Sequence, residues 1–502
     1  MEMRRLSRFS LPYSISLAIY LEMLRSRGAR LRDQMAAGLA ILAVSCGVQA
    51  QASEPEDLEP STNTIAATSE IKESAGEALL TLEECLRLAD ADNPDIRSAR
   101  SDVAVKQAAV GIAFAGFLPR LDLQPSIYMQ ELRYLKTKQV FLSGTSVQLS
   151  PIIHDSFFAP LKFTLNQTLL DFGKTHQGYE KALHELRAVQ WTLEAVRAQV
   201  FLTVKTAFIN TLRNQQALAI SDQALAQRKL VVKISEDLYQ AGMRPRLDSI
   251  RAEIDLENAR LQRVDFEMGL GRAWKSLETA VSAASLSARP LENILTKDDL
   301  QLSESETQTA TRIHRPEILS QKELVEAQTH SRGVGRRRFL PTLSGLATYS
   351  ARQQTSVSGR FQGFQRHWYL GANASLNLFN GLADMASVKS AQSALEKAQS
   401  DLLSLQNNAS SEAFGALIDA AGLQKKLKNS ARLEDLARES EKLALMLYRN
   451  GKGTMLQVTD VQNQLLSARL TRLGNLADYR LALFRLERAT GTPLTALGRK
   501  AP

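Results

Sequence analysis

Apolar residues recur at Leu183, Leu186, Val189, Leu193, Val196, Val200, Val204 and Phe208, three or four positions apart, with polar or small residues between them. That spacing predicts a helix with one narrow apolar seam. Neither glycine nor proline occurs between Tyr179 and Ala241. Each costs a helix interior roughly 1 (Gly) or 3 (Pro) kcal/mol, so a long gap free of both favours a long helix. A second seam opens at Leu395, Ala398, Leu402, Leu405 and Ala409, flanked by many Ala and Ser. Long helices are therefore expected over 173–241 and 382–450, each roughly 100 Å long at 1.5 Å per residue. Narrow seams suit coiled-coil pairing, in a hollow wall of helices or in a rod.

A different period follows Pro119. Leu121 to Gln130 alternates apolar with mostly polar residues, as do Leu161 to Asn166 and Trp368 to Leu378. Segments of about ten residues with one apolar and one polar face fit the strands of a membrane barrel, lipid outside and water within. Surface hairpins on a soluble core are the alternative, but narrow-seamed helices offer little core. No apolar run after the leader reaches the roughly 20 residues of a membrane helix, so any span is by strands.

The chain is also written twice. Asn93-Pro94-Asp95-Ile96 and Phe117-Leu118-Pro119 return as Arg315-Pro316-Glu317-Ile318 and Phe339-Leu340-Pro341, displaced by 222 positions. Leu238-Tyr239-Gln240-Ala241-Gly242 returns as Leu447-Tyr448-Arg449-Asn450-Gly451, displaced by 209. The offsets differ by 13, so the second copy loses that many residues between Leu343 and its long helix. Such duplication predicts two equivalent units side by side. The expected organisation is a leader at 1–52, an N-terminal segment at 53–79, and a first repeat at 80–283 with a hairpin at 119–171. A linker at 284–311 joins a second repeat at 312–490 with a hairpin at 341–380, followed by a tail at 491–502.

Composition narrows the function. Arg25, Arg27, Arg30 and Arg32 precede an apolar run from Met35 to Val44, and Ala50-Gln51-Ala52 supplies a small-x-small cleavage pattern. This reads as an export signal, of conventional length if translation starts at Met23. Cys46 follows Leu42-Ala43-Val44-Ser45, which resembles a lipoprotein box with Ala43 in place of the usual Leu, making Cys46 an alternative lipidation site. Cleavage after Ala52 leaves Cys85 as the remaining cysteine, so no intramolecular disulfide is expected. It also removes seven basic and three acidic residues, lowering the net charge of +9 by four to +5. Acidic and basic residues are interspersed along the helices, as on solvated faces, and nothing suggests a nucleic-acid partner. Arg336-Arg337-Arg338 could meet lipid phosphates or complement a helix dipole. There is no His-Glu-x-x-His, no Cys pair at metal spacing and no Walker loop among the six His and two Cys, so neither catalysis nor a cofactor is expected. His176 and His184, two turns apart on one helix, read as solvated.

Four strands cannot close a barrel, and an open sheet edge is not tolerated in lipid, so several chains must combine. Over Leu80 to Leu494 the chain resembles the TolC-type outer-membrane efflux proteins. The resemblance rests on Asn93-Pro94, Phe117-Leu118-Pro119, the turns Leu169-Leu170-Asp171-Phe172-Gly173 and Leu378-Phe379-Asn380-Gly381, and the Tyr-x-x-Gly turns at Tyr239 and Tyr448. It implies a mainly α fold with transmembrane β, four strands and long coiled-coil helices per protomer, internally duplicated, with shorter helices at 80–116, 245–283, 312–338 and 454–490 stacked beside the long ones. Three protomers would form a homotrimeric α/β-barrel channel, a twelve-stranded barrel continuing into a periplasmic helical tunnel. The implied role is the exit duct of a tripartite efflux or type I secretion system, with an inner-membrane pump, a periplasmic adaptor and outer-membrane lipid as partners. A periplasmic adaptor or a coiled-coil envelope protein without a pore are the rival readings; the duplicated strand hairpins argue against the first. The resemblance places adaptor docking at Ala241-Gly242-Met243 and Asn450-Gly451-Lys452. It places an entrance gate at Asp248 and Tyr448, and a ring of carboxylates at Asp460. Gly453 stands where the family's gate has an arginine and Gln457 where a second ring has aspartate, leaving Arg244 or Arg246 to supply the guanidinium.

Overall fold

The computed structural model describes residues 79–133, 138–142, 145–149, 153–283, 286, 289–295, 303–356 and 361–493. The leader with Cys46, nearly all of the 53–79 segment, parts of the 284–311 linker and most of the tail lie outside the described residues. The chain divides into two compact units. The first holds the described residues that fall within 121–165 and 346–371, and the second those within 79–120, 166–345 and 372–493.

The first unit is a sheet. Its strands run through β1 (Arg120–Pro125), β2 (Tyr128–Arg133), β5 (Ile153–Leu170), β6 (Thr342–Ser356) and β7 (Phe361–Ser375). They lie in the order β1-β5-β6-β7, and β2 pairs antiparallel with β5, from Tyr128 opposite Phe158 to Arg133 opposite Ile153. The four expected strands are present, but the first is broken. Pro125 has no N–H to donate, and β1 ends on it; the ladder is carried across the break by Ser126 N–H on Pro160 O at 3.1 Å. A separate hairpin, β3 (Lys138–Leu142) with β4 (Thr145–Leu149), was not foreseen. Trp368 and Leu370, alternate residues of β7, are 74% and 76% exposed.

The second unit is helical, and here the duplication is visible element by element. Helices α1 (Leu82–Asp92), α2 (Pro94–Phe114), α3 (Lys174–Gln240) and α4 (Arg246–Val281) have 11, 21, 67 and 36 residues. Helices α5 (Glu304–His314), α6 (Pro316–Arg336), α7 (Ala383–Arg449) and α8 (Met455–Thr490) repeat those lengths. Two corrections to the sequence reading follow. The helices expected at 80–116 and 312–338 are each broken in two, because Pro94 and Pro316 take the first helical position, where the missing N–H costs nothing. Asn93 caps α2, its side chain accepting from Asp95 N–H at 2.9 Å. The polar run Ser303-Glu304-Ser305-Glu306, read as linker, instead begins α5 through a capping box between Ser303 and Glu306.

Helix α3 packs along α4, α6 and α2; α7 packs along α8 and α6; and α8 also reaches α3. The largest buried cluster joins Val204, Phe208 and Ile209 of α3 to Ile96, Leu277, Val281 and Ala477. Cys85 is buried in it, and burial pushes its thiol up to about 11, which keeps it protonated and inert. Leu80 N–H donates to Pro290 O and Glu292 N–H to Leu80 O, pinning the start of the first repeat to the segment between the repeats. Of the arginine cluster, Arg337 turns back to Gly333 O and Phe172 O, closing the end of α6. No described helix is long and apolar enough to cross a membrane.

Candidate functional site

The helical pairs α3/α4 and α7/α8 turn through the same backbone device. Gly242 N–H donates to Tyr239 O at 2.9 Å and Met243 N–H to Leu238 O at 2.9 Å. In the second copy Gly451 N–H donates to Tyr448 O at 3.1 Å and Lys452 N–H to Leu447 O at 2.9 Å. This pair of bonds closes a helix through a left-handed residue, and φ is +72° at Gly242 and +77° at Gly451. A Cβ on either glycine would meet nothing within 4 Å. The turns therefore need glycine for their backbone, while their outer faces are open; Met243 is 61% exposed and Lys452 is also exposed.

Just inside these turns the two pairs meet. Tyr448 is fully buried against Val231, Ala252, Met455 and Val458. Its hydroxyl donates to Asp248 Oδ2 at 3.4 Å, and Asp248 is only 8% exposed in the first turn of α4. Burial, and then the charge of Asp248, push the Tyr448 phenol up to about 12, so it remains a neutral donor at any physiological pH. The Arg244 guanidinium lies over the Tyr448 ring, 4.9 Å from its centroid, and donates to Gly453 O. Within the chain Arg244 is thus held by a ring face and a carbonyl. At Gly453 a Cβ would lie 3.1 Å from Tyr448 N and 3.2 Å from Leu447 Cβ. A side chain at 453 would need those neighbours to shift by a few tenths of an ångström, and the Arg244 guanidinium comes to this residue from the facing turn.

The remaining candidates separate from this cluster. Arg246 opens α4 as an exposed residue, and Asp460 is exposed on the second turn of α8. Gln457 begins α8: its Oε1 accepts from Thr454 N–H at 3.0 Å while its own N–H donates to Thr454 Oγ1 at 3.3 Å. Farther along the helices sits a group that the sequence did not disclose. Arg228 of α3, 8% exposed, lies 3.4 Å from Asp255 Oδ2 of α4 and donates to Asn463 Oδ1 of α8 at 2.6 Å. Thr459 Oγ1 donates to the same Asp255 oxygen at 2.7 Å. Burial lowers the pKa of Arg228 and Asp255 partly restores it. In the sequence Arg228 stands in a run of polar and small residues like any solvated helix position, and carries no signal of burial.

The family model for outer membrane efflux proteins matches residues 85–283 and 309–492. The chain belongs to the outer membrane efflux protein family. The two matched stretches correspond to the two repeats, and the unmatched gap to the segment that joins them. This efflux protein is 21% identical over 387 residues to nodulation protein T of Rhizobium leguminosarum bv. trifolii, covering 74% of this chain and 77% of the relative. It is 24% identical over 422 residues to the pyoverdine export outer membrane protein OpmQ of Pseudomonas aeruginosa, covering 82% and 83%. The fold is shared with the CmeC outer membrane channel of Campylobacter jejuni, with a TM-score of 0.67 at 19% identity over 82% of this chain and 85% of that one. The efflux protein is accordingly an outer-membrane channel component, the exit duct of an efflux system, and family membership sets aside the readings as an adaptor or a poreless envelope rod.

Proposed function

We propose that three copies of this chain close one duct in the outer membrane, and that the turns at Gly242 and Gly451 form its periplasmic entrance. The observation that carries this reading is the open sheet. In the order β1-β5-β6-β7 both outer strands end the path without a further neighbour among the described residues. Bare edges in lipid leave N–H and C=O groups unsatisfied at several kcal/mol each, and closure by further copies removes them. The helical unit supports the same conclusion. Leu247, Ile250 and Ile254, then two turns on Leu261, Val264 and Met268, form an exposed apolar stripe on α4. Leu436, Leu443 and Leu447 expose apolar surface on α7. Stripes of this kind call for partner helices.

At the entrance, Tyr448, Asp248 and Arg244 tie the start of α4 to the end of α7, so a movement that spreads the two helical pairs must break them. An adaptor's helical hairpin docks on the open faces of Gly242-Met243 and Gly451-Lys452, and an inner-membrane pump delivers the cargo. Asp460, repeated threefold, forms an acidic ring favouring cations. The pyoverdine export role in the name of the OpmQ relative favours small organic cargo over secreted protein. Native mass measurement of the detergent-extracted protein tests the assembly: a species of three chains is expected, and a stable monomer overturns it.

A further inference from the structure

Helices α3 and α6 bring together residues that the sequence keeps 146 positions apart. The rings of His184 and His330 stack at 5.2 Å with 20° between their planes. His184 Nδ1 lies 2.7 Å from Glu323 Oε2, and His330 Nδ1 lies 3.1 Å from Gln177 Oε1. With Nδ1 donating to the carboxylate of Glu323 and to the amide oxygen of Gln177, a neutral imidazole at each position would keep its Nε2 lone pair for a ligand. Glu180 stands one turn before His184 on α3, and one donor atom from each of Glu180, His184 and His330 lies within 4.8 Å of the other two. Glu326 of α6 and His176 of α3 complete the charged surroundings. Three carboxylates around two imidazoles favour a cation.

The support behind the histidines is built as well. A Cβ on Gly333 would lie 2.3 Å from Gln177 Oε1. Glycine at 333 therefore leaves the amide the space from which it holds His330. Imidazoles that donate their second N–H to a fixed acceptor are the usual form of histidine metal ligands, because the acceptor sets both tautomer and ring orientation. His184 is 16% exposed and Glu323 25%, which leaves solvent access for a fourth ligand.

We propose that Glu180, His184 and His330 bind a divalent transition metal of the zinc class, clipping α3 to α6, with Glu323 and Gln177 as positioning residues. Two imidazoles and a carboxylate suit zinc, which also accepts water in a fourth place. Bond lengths of about 2.1 Å require ligand atoms about 3.4 Å apart in a tetrahedral site, so side-chain rotation must draw them in by about an ångström.

The test uses the detergent-solubilised full-length protein, stripped with chelator and then equilibrated with micromolar Zn²⁺. One zinc per chain is expected by elemental analysis, with loss of at least tenfold in affinity in His184→Gln and in His330→Gln. Glu323→Gln and Gly333→Ala, which leave all three ligands in place, should weaken binding on the order of 10- to 100-fold, with helical circular dichroism unchanged. Retention of zinc by the His184→Gln/His330→Gln double variant overturns the proposal. Co²⁺ added to the unmutated protein gives a check that needs no variant: tetrahedral visible absorption bands are expected, and their absence overturns the site.

Discussion

Replacing Tyr448 with Phe removes one oxygen and leaves the ring in its pocket, so it isolates the bond to Asp248. The bond is long at 3.4 Å but has a carboxylate as its acceptor, and both partners are buried. Hydrogen bonds to charged groups contribute about 1.5–3 kcal/mol at good geometry, and one of this length about 1 kcal/mol. In a threefold assembly that is about 3 kcal/mol, or on the order of 100-fold in the ratio of closed to open entrances. Tyr448→Phe should therefore raise the mean single-channel conductance in planar bilayers and admit large antibiotics to intact cells. Asp248→Ala should do the same, since it removes the other partner. Conductance unchanged in both variants, with the assembly intact, would refute the reasoning and assign closure to other residues. Loss of the assembly in both would make the contact purely structural.

The same phenol fixes a pH dependence. Its pKa is raised to about 12 from an unfolded value of about 10, so its contribution is complete below pH 10 and lost only as the pH rises through about 12; closed-state conductance should be flat from pH 7 to 10, whereas an unshifted phenol would begin to open the channel near pH 10. Leucine at Gly242 or Gly451 must adopt a positive φ at a cost of about 1–2 kcal/mol, without a clash inside the chain; cellular export should fail while native mass still reports the assembly. Asp460→Ala should lower the cation-to-anion permeability ratio measured from reversal potentials, and an unchanged ratio would remove Asp460 from the conduction path.

The first long helix was legible because a 63-residue stretch without Gly or Pro has few other readings; the second, which holds Gly415 and Gly422, was legible from its apolar seam, and the duplication because the repeats share Pro94/Pro316, Pro119/Pro341 and Gly242/Gly451. The breaks before Pro94 and Pro316 were also written in the sequence: Asn93-Pro94 is a cap followed by a first helical residue, and Pro316 after Arg315 suits the same first position without a side-chain cap. The reading of 80–116 as one helix came from the family resemblance and passed over the cap. Ser303 to Glu306 failed in the opposite sense, since a polar run that resembles linker satisfies the capping-box spacing. At the turns, the glycines and Tyr448 could be placed from the repeat, but the seat of Arg244 could not. It depends on the two turns lying against each other, so that Arg244 donates to a carbonyl 209 positions away and covers the Tyr448 ring. The pairing of His184 with His330 was likewise hidden. Local spacing compares His184 with His176 and correctly finds them too far apart, whereas the partner comes from another helix.

If identical chains complete a pore that one chain cannot, the detergent-extracted species of threefold mass placed in planar bilayers should show discrete conductance steps that increase in Tyr448→Phe. Purified assemblies that insert but carry no current, in either form, would show that no such pore exists.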